Sequence, residues 1–274
     1  MRLPAPGATS RGDTVAGPAA PRCEDERVPD LSAIAWALLA VGALVVGLSK
    51  TAIPGAGSLA VAVFAAVLPA RTSTATLLVL LIVGDVLALA LYRRHADWAT
   101  LLRLAPAVVL GIVAGAFFLA VADDTGVRRV IGGILLALVV TTLWLRRRRE
   151  GAAARTGAAA LIGYGALGGF TTMVANAGGP VMSMYFLAAR FDVRAFLGTA
   201  AWFFAIVNVS KVPIAAGLGL LTPQSLLVDL VLVPAVLVGG AIGWRIAGRL
   251  TQAAFDRIVL TLTTLTALYL IVAP

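Results

Sequence analysis

After a polar head, long apolar runs alternate with short polar breaks along the whole chain. The runs occupy about 31–50, 58–70, 73–92, 100–121 and 127–145, then, beyond Arg146-Arg147-Arg148-Arg149-Glu150, about 157–175, 181–190, 195–217, 224–244 and 255–273. Most are long enough for a helix that crosses a hydrocarbon core about 30 Å thick. Two are not, since at 1.5 Å per residue 58–70 rises only about 20 Å and 181–190 about 15 Å. Each crosses only if the glycine-rich stretch before it, Pro54-Gly55-Ala56-Gly57 or Asn176-Ala177-Gly178-Gly179-Pro180, also lies inside the membrane. Residues Met1 to Asp30 are rich in Pro, Ala, Gly and charge and lack the apolar run of a secretory signal, so a disordered tail is expected there.

The two breaks hold matching places in two halves. Adding 123 carries Gly42, Gly55, Arg71, Thr76 and Asp85 onto Gly165, Gly178, Arg194, Thr199 and Asn208, and adding 128 carries Pro106, Gly111, Gly115 and Arg129 onto Pro234, Gly239, Gly243 and Arg257. The pattern predicts an internal duplication with a first transmembrane repeat over 31–150 and a second over 151–274. Five crossings per half make the second repeat enter from the opposite side. The expected fold is therefore an all-α membrane protein of about ten transmembrane segments in two inverted repeats with broken helices, an architecture of many secondary transporters. Arginine counting then places most basic loops on the cytoplasmic side and both termini outside the cytoplasm in a multi-pass cell-membrane protein.

Composition agrees with this pattern. The chain is 60% hydrophobic and 13% charged, with mean hydropathy +0.98, whereas soluble domains carry roughly a quarter charged residues. The net charge of +9 does not mark a nucleic-acid partner, because the arginines sit in short loops where they set topology and meet lipid headgroups. One cysteine, Cys23 in the head, and one histidine, His95 in a loop, leave little for metal or general-base chemistry within the spans. No metal site and no cofactor is expected.

Candidate chemistry gathers at the breaks. Non-helical backbone inside a bilayer is tolerated only where protein or a watery cavity covers it. Free amides at a helix start also present donors and partial positive charge to an anion. Pro54, Gly55, Gly57, Asn176, Gly178 and Gly179 are thus candidates for holding an anion, with simple kinks in a glycine-rich bundle as the other reading. Lys50, just before the first break, either snorkels at a boundary or faces the cavity. Asp85 and its mate Asn208 lie deep in their spans, where an ionisable group marks function by default. Asp85 has three readings: a cation or proton site for coupling, or a structural partner of Lys211, which counting places about 12 Å away in depth. Asp229, Tyr92, Trp98 and Trp244 read as interfacial anchors. Arg71 and Arg194 read as caps or guards at the ends of the short helices.

The order and spacing of Gly47-Leu48-Ser49-Lys50-x-x-x-Pro54-Gly55-x-Gly57, Gly84-Asp85, Tyr92-Arg93-Arg94, Asp97-Trp98, Pro106 and Gly111-x-x-x-Gly115, with a degenerate second copy, resemble the sulfite exporter TauE/SafE family of membrane permeases over about 31–273. The resemblance implies a carrier of a small anion: sulfite, another sulfur oxyanion or an organosulfonate. With the residue reading it gives an alternating-access carrier, not an enzyme, whose partners are that anion, the bilayer, a coupling proton or sodium ion, and in one arrangement a second copy in a homodimer. The rivals are an intramembrane aspartyl protease, which needs two facing aspartates where only Asp85 and Asp229 are available, and a passive anion channel, for which no charged rings are seen.

Overall fold

The computed structural model describes residues 31–52, 56–123, 125–127, 129–130, 132–134, 136–137, 140, 157–189, 191 and 193–246. Among them the protein is all-helical: α1 (Ala33–Thr51), α2 (Gly57–Val67), α3 (Ala70–Tyr92) with a short 3-10 turn at Arg93–His95, α4 (Trp98–Val121), α5 (Ala158–Ala175), α6 (Gly178–Ala188), α7 (Val193–Gly217) and α8 (Pro223–Ile246). Among the described residues six helices are long and apolar enough to cross a membrane, whereas the sequence pattern gives ten crossings over the whole chain. The two short runs form α2 and α6, of 11 residues each, which rise about 16 Å. The run at 127–145 is described only in pieces, and the run at 255–273, the tail and Arg146–Arg149 lie outside the described residues.

Local signals start the helices. The Ser32 hydroxyl accepts from the Ala35 amide at 3.2 Å, and the Asp97 carboxylate from the Thr100 amide at 3.1 Å, satisfying donors that have no partner in a first turn. Thr222 and Ser225 cap α8 reciprocally, at 3.0 and 3.1 Å, and Pro223 at its first position has no amide to satisfy.

Helices α1 and α2 pack as an antiparallel hairpin, and so do α5 and α6. On the first, Gly42 faces the Phe64 ring and Gly57 faces the Ser49 hydroxyl; on the second, Gly168 faces Met182 and Gly178 faces Thr172. Both arms of a hairpin therefore leave on one side, so whether a tip turns inside or beyond the membrane does not alter which side the next helix starts from. Helices α3 and α7 run antiparallel, since α7 begins where α3 ends. Gly198 packs on the Tyr92 carbonyl, Asp97 N donates to Thr199 Oγ1 at 2.9 Å and Trp202 Nε1 donates to the Arg93 carbonyl at 3.1 Å.

The hairpins are joined crosswise, α1 on α8 and α4 on α5, through glycines that lie against backbone. Gly47 meets the Val236 carbonyl and Gly239 that of Leu44, while Gly169 meets the Val108 carbonyl and Gly111 that of Ala166. The two seams superpose when 122 is added along α1 and 128 along α4, a one-residue slip from the offset of 123 that relates Asp85 to Asn208. The outer faces are apolar: on α4, Leu102, Leu110 and Phe117 are 69–71% exposed, a surface suited to lipid.

Packing overturns one anchor assignment. Asp229 is 2% exposed, and among the described residues neither carboxylate oxygen has a hydrogen-bond partner. The position 128 residues earlier holds an apolar residue, Leu101. Helix α8 is rotated to face α1 and α3, and this turns Asp229 inward instead of toward an interface. Asp229→Leu is expected to raise the melting temperature of the detergent-solubilised protein, because it removes a polar group whose unsatisfied burial costs about 1–3 kcal/mol. A lowered melting temperature in a thermal-shift assay would contradict that. Trp98 and Trp244 remain exposed. Tyr92 is half-buried and its hydroxyl donates to the Thr51 carbonyl at 2.8 Å.

Candidate functional site

The two hairpin tips and the α3–α7 pair enclose one buried polar cluster. Lys50, at the end of α1, runs its stem along α3 at Gly84, where a Cβ would meet Lys50 Cγ at 2.8 Å. Its ammonium donates to Asp85 Oδ1 at 2.6 Å and sits 4.5 Å above the Phe204 ring, a position favoured by the negative face of the ring. The lysine side chain is only 11% exposed, so the boundary-anchor reading does not hold. Asp85, 1% exposed, takes a second donor on its other oxygen, Asn208 Nδ2 at 2.6 Å. The carboxylate is therefore gripped from both halves of the chain, by residues on α1 and α7.

Lys211 is not its direct partner. The 1%-exposed ammonium donates to the Thr172 carbonyl at 2.8 Å, Thr172 Oγ1 at 3.2 Å and Asn176 Oδ1 at 2.8 Å. Three neutral acceptors thus meet its three N–H bonds. Depth counting placed Lys211 about 12 Å from Asp85 and left it as the candidate structural partner, because it treated each span as a separate straight rod. The α1–α2 hairpin instead carries Lys50 into the interior, and the α5–α6 tip carries acceptors to Lys211.

Asn176 holds that second tip in shape. Its φ of 49° is left-handed, a conformation asparagine tolerates better than most residues. The turn is closed by Asn176 N to the Thr172 carbonyl and Ala177 N to the Thr171 carbonyl, both 3.1 Å. Its side chain gives Nδ2 to the Thr74 carbonyl at 2.8 Å while Oδ1 takes Lys211.

Between these groups lies a cavity of about 40 Å³, lined by Ser49, Lys50, Gly57 and Ser58 from the first hairpin, Thr172, Asn176 and Gly179 from the second, and Asp85, Phe204 and Asn208 from the central pair. One ordered water needs roughly 10–15 Å³ by this measure, so the space holds about three waters or one compact oxyanion. Helix α2 opens beside it, and no side chain caps its first turn. Gly178 does not line the cavity and packs on Thr172. Pro54 and Gly55 lie outside the described residues, as does the side chain of Arg71.

Sequence reasoning passed over Ser49, Ser58, Thr172 and Phe204. Phe204 was within reach of it, since it stands one helical turn before Asn208 and shares its face. Thr172 carried no signal, because its value lies in a carbonyl as much as in its hydroxyl. Among the described residues no group of three or more His, Cys, Asp or Glu is placed to hold a metal. Among the described residues Asp85 and Asp229 share no hydrogen bond: Asp85 is bound to Lys50 and Asn208, and Asp229 has no hydrogen-bond partner.

The family model described as sulfite exporter TauE/SafE matches residues 38–270. No curated protein and no solved structure matches the chain.

Proposed function

Because the chain belongs to the sulfite exporter TauE/SafE family, a family of membrane permeases, we propose that it carries a small sulfur oxyanion or organosulfonate through the cavity lined by Lys50, Asp85 and Asn208 by alternating access. The observation that carries this reading is the charge of the buried cluster. Two lysines, Lys50 bound to Asp85 and Lys211 held by neutral oxygens, stand with one carboxylate, which leaves one positive formal charge in a cluster almost closed to water. A buried charge is costly unless it is paired, and a monoanion in the cavity completes the pairing. Gly57 and Gly179 keep side chains out of its way, and the uncapped start of α2 adds donors of the right sign.

The inverted-repeat arrangement is part of the same proposal. Antiparallel α3 and α7, the matching glycine seams and the meeting of Asp85 with Asn208 support two repeats related by an axis through the cavity. Rocking one hairpin-bearing half against the other then opens the site to either side in turn. With ten crossings, both termini lie outside the cytoplasm of the cell membrane. A homodimer is compatible with the apolar outer faces, and transport by one chain does not require it.

The test is purified protein in proteoliposomes preloaded with unlabelled anion and given trace labelled sulfite, sulfate, thiosulfate or methanesulfonate. Exchange of at least one of them, at a rate at least tenfold above protein-free liposomes, is the expected result. Equality with protein-free liposomes for every anion would refute the carrier reading.

A further inference from the structure

The anion site is already occupied by part of the protein. Lys50 is the cation that opens onto the cavity, and its ammonium is held at 2.6 Å by Asp85. An arriving oxyanion and the Asp85 carboxylate compete for the same N–H donors. We propose that Asp85 is a tethered anion that must take up one proton before substrate can bind Lys50, making the protein a one-proton, one-anion symporter; this rests on the carrier reading above.

Three features of the geometry support a proton and not sodium as the coupled ion. Both oxygens of Asp85 face donors, Lys50 Nζ and Asn208 Nδ2, whereas a sodium ion needs several oxygen ligands turned toward it. Among the described residues the charged groups near Asp85 are Lys50 on α1 and Lys211 on α7, both cationic, and they repel a metal ion. Asn208 Oδ1 is buried with no partner in this state. A half-turn of the amide offers that oxygen to the O–H of a protonated Asp85, so the neutral acid has a partner already in place.

The step balances. One proton from water adds to an Asp85 oxygen, the contact with Lys50 loses its ionic character, and one monoanion takes the freed ammonium. Before and after, the cluster bears one positive formal charge: Lys50 and Lys211 against Asp85, then Lys50 and Lys211 against the bound anion. Proton and monoanion cross together without moving net charge.

The experiment uses methanesulfonate, whose single charge does not change between pH 5 and 8, alongside sulfite in the full-length protein. Exchange of label with no gradient tests the carrier reading alone; its absence for every anion assayed would remove both proposals together. Given exchange, apparent affinity in the wild type should weaken tenfold per pH unit once Asp85 is ionised, since one proton is linked to each anion. An inward pH gradient should drive accumulation that an imposed potassium diffusion potential does not alter. In Asp85→Asn, which holds this position neutral at every pH, affinity should be flat with pH and gradient-driven accumulation should vanish. Wild-type affinity independent of pH, or accumulation that follows a sodium gradient instead, would overturn the symport mechanism while leaving the carrier intact. The wild-type pH series stands without the variant, so poor folding of Asp85→Asn does not rescue the proposal.

Discussion

Lys50→Ala is expected to abolish anion exchange and also to lower the yield of folded protein, for two separable reasons. The substitution removes the ammonium that faces the cavity, and it strips one of two donors from a carboxylate that is 1% exposed. Breaking a buried ion pair from one side costs about 3–5 kcal/mol, because the remaining charge is left uncompensated. The double variant Lys50→Met, Asp85→Asn separates the effects. Methionine keeps the stem that lies along Gly84, the Asp85 amide presents Asn208 with a neutral partner, and no unpaired charge remains. This variant should run as a monodisperse peak in detergent yet exchange anion at least a hundredfold more slowly than Asp85→Asn alone. If the folded double variant exchanges as fast as Asp85→Asn, Lys50 does not hold the substrate.

The second large effect concerns the seams between the hairpins. Gly111→Val and Gly239→Val each place a branched side chain where the partner helix offers only backbone: the Ala166 carbonyl and the Leu44 carbonyl, respectively. A flexible side chain can move aside, but a carbonyl within a helix moves only with the helix. The pair must separate, and overpacking of a tight interface costs about 1–3 kcal/mol or more. Loss of the monodisperse species on size exclusion is therefore expected for both. Gly163 supplies the contrast, because a Cβ there meets nothing within 4 Å. Gly163→Ala should keep the folded species and gain helix propensity worth up to about 1 kcal/mol. Equal tolerance at all three positions would show that the seams are looser than their geometry indicates.

The apolar runs placed the described helices, because a chain segment in lipid has few ways to satisfy its own backbone, and the two glycine-rich stretches marked the breaks that precede α2 and α6. The internal offset of 123 aligned Asp85 with Asn208 and the first break with the second. What no offset states is that equivalent residues touch. Asp85 and Asn208 do so at 2.6 Å only because α3 and α7 cross at that level, and a crossing point is a property of packing. The same holds for the lysines. Span counting treats depth as the distance along a rod from its entry point, and it cannot register that α1 and α2 fold together as a hairpin. That fold gave Asp85 to Lys50 and left Lys211 to the carbonyl and amide oxygens of Thr172 and Asn176. Asp229 shows the rotational counterpart: its place along α8 was legible, but the direction it faces was decided by the glycine seam against α1. Position along a helix is written in local sequence; azimuth and partner are set by whichever surfaces pack most closely.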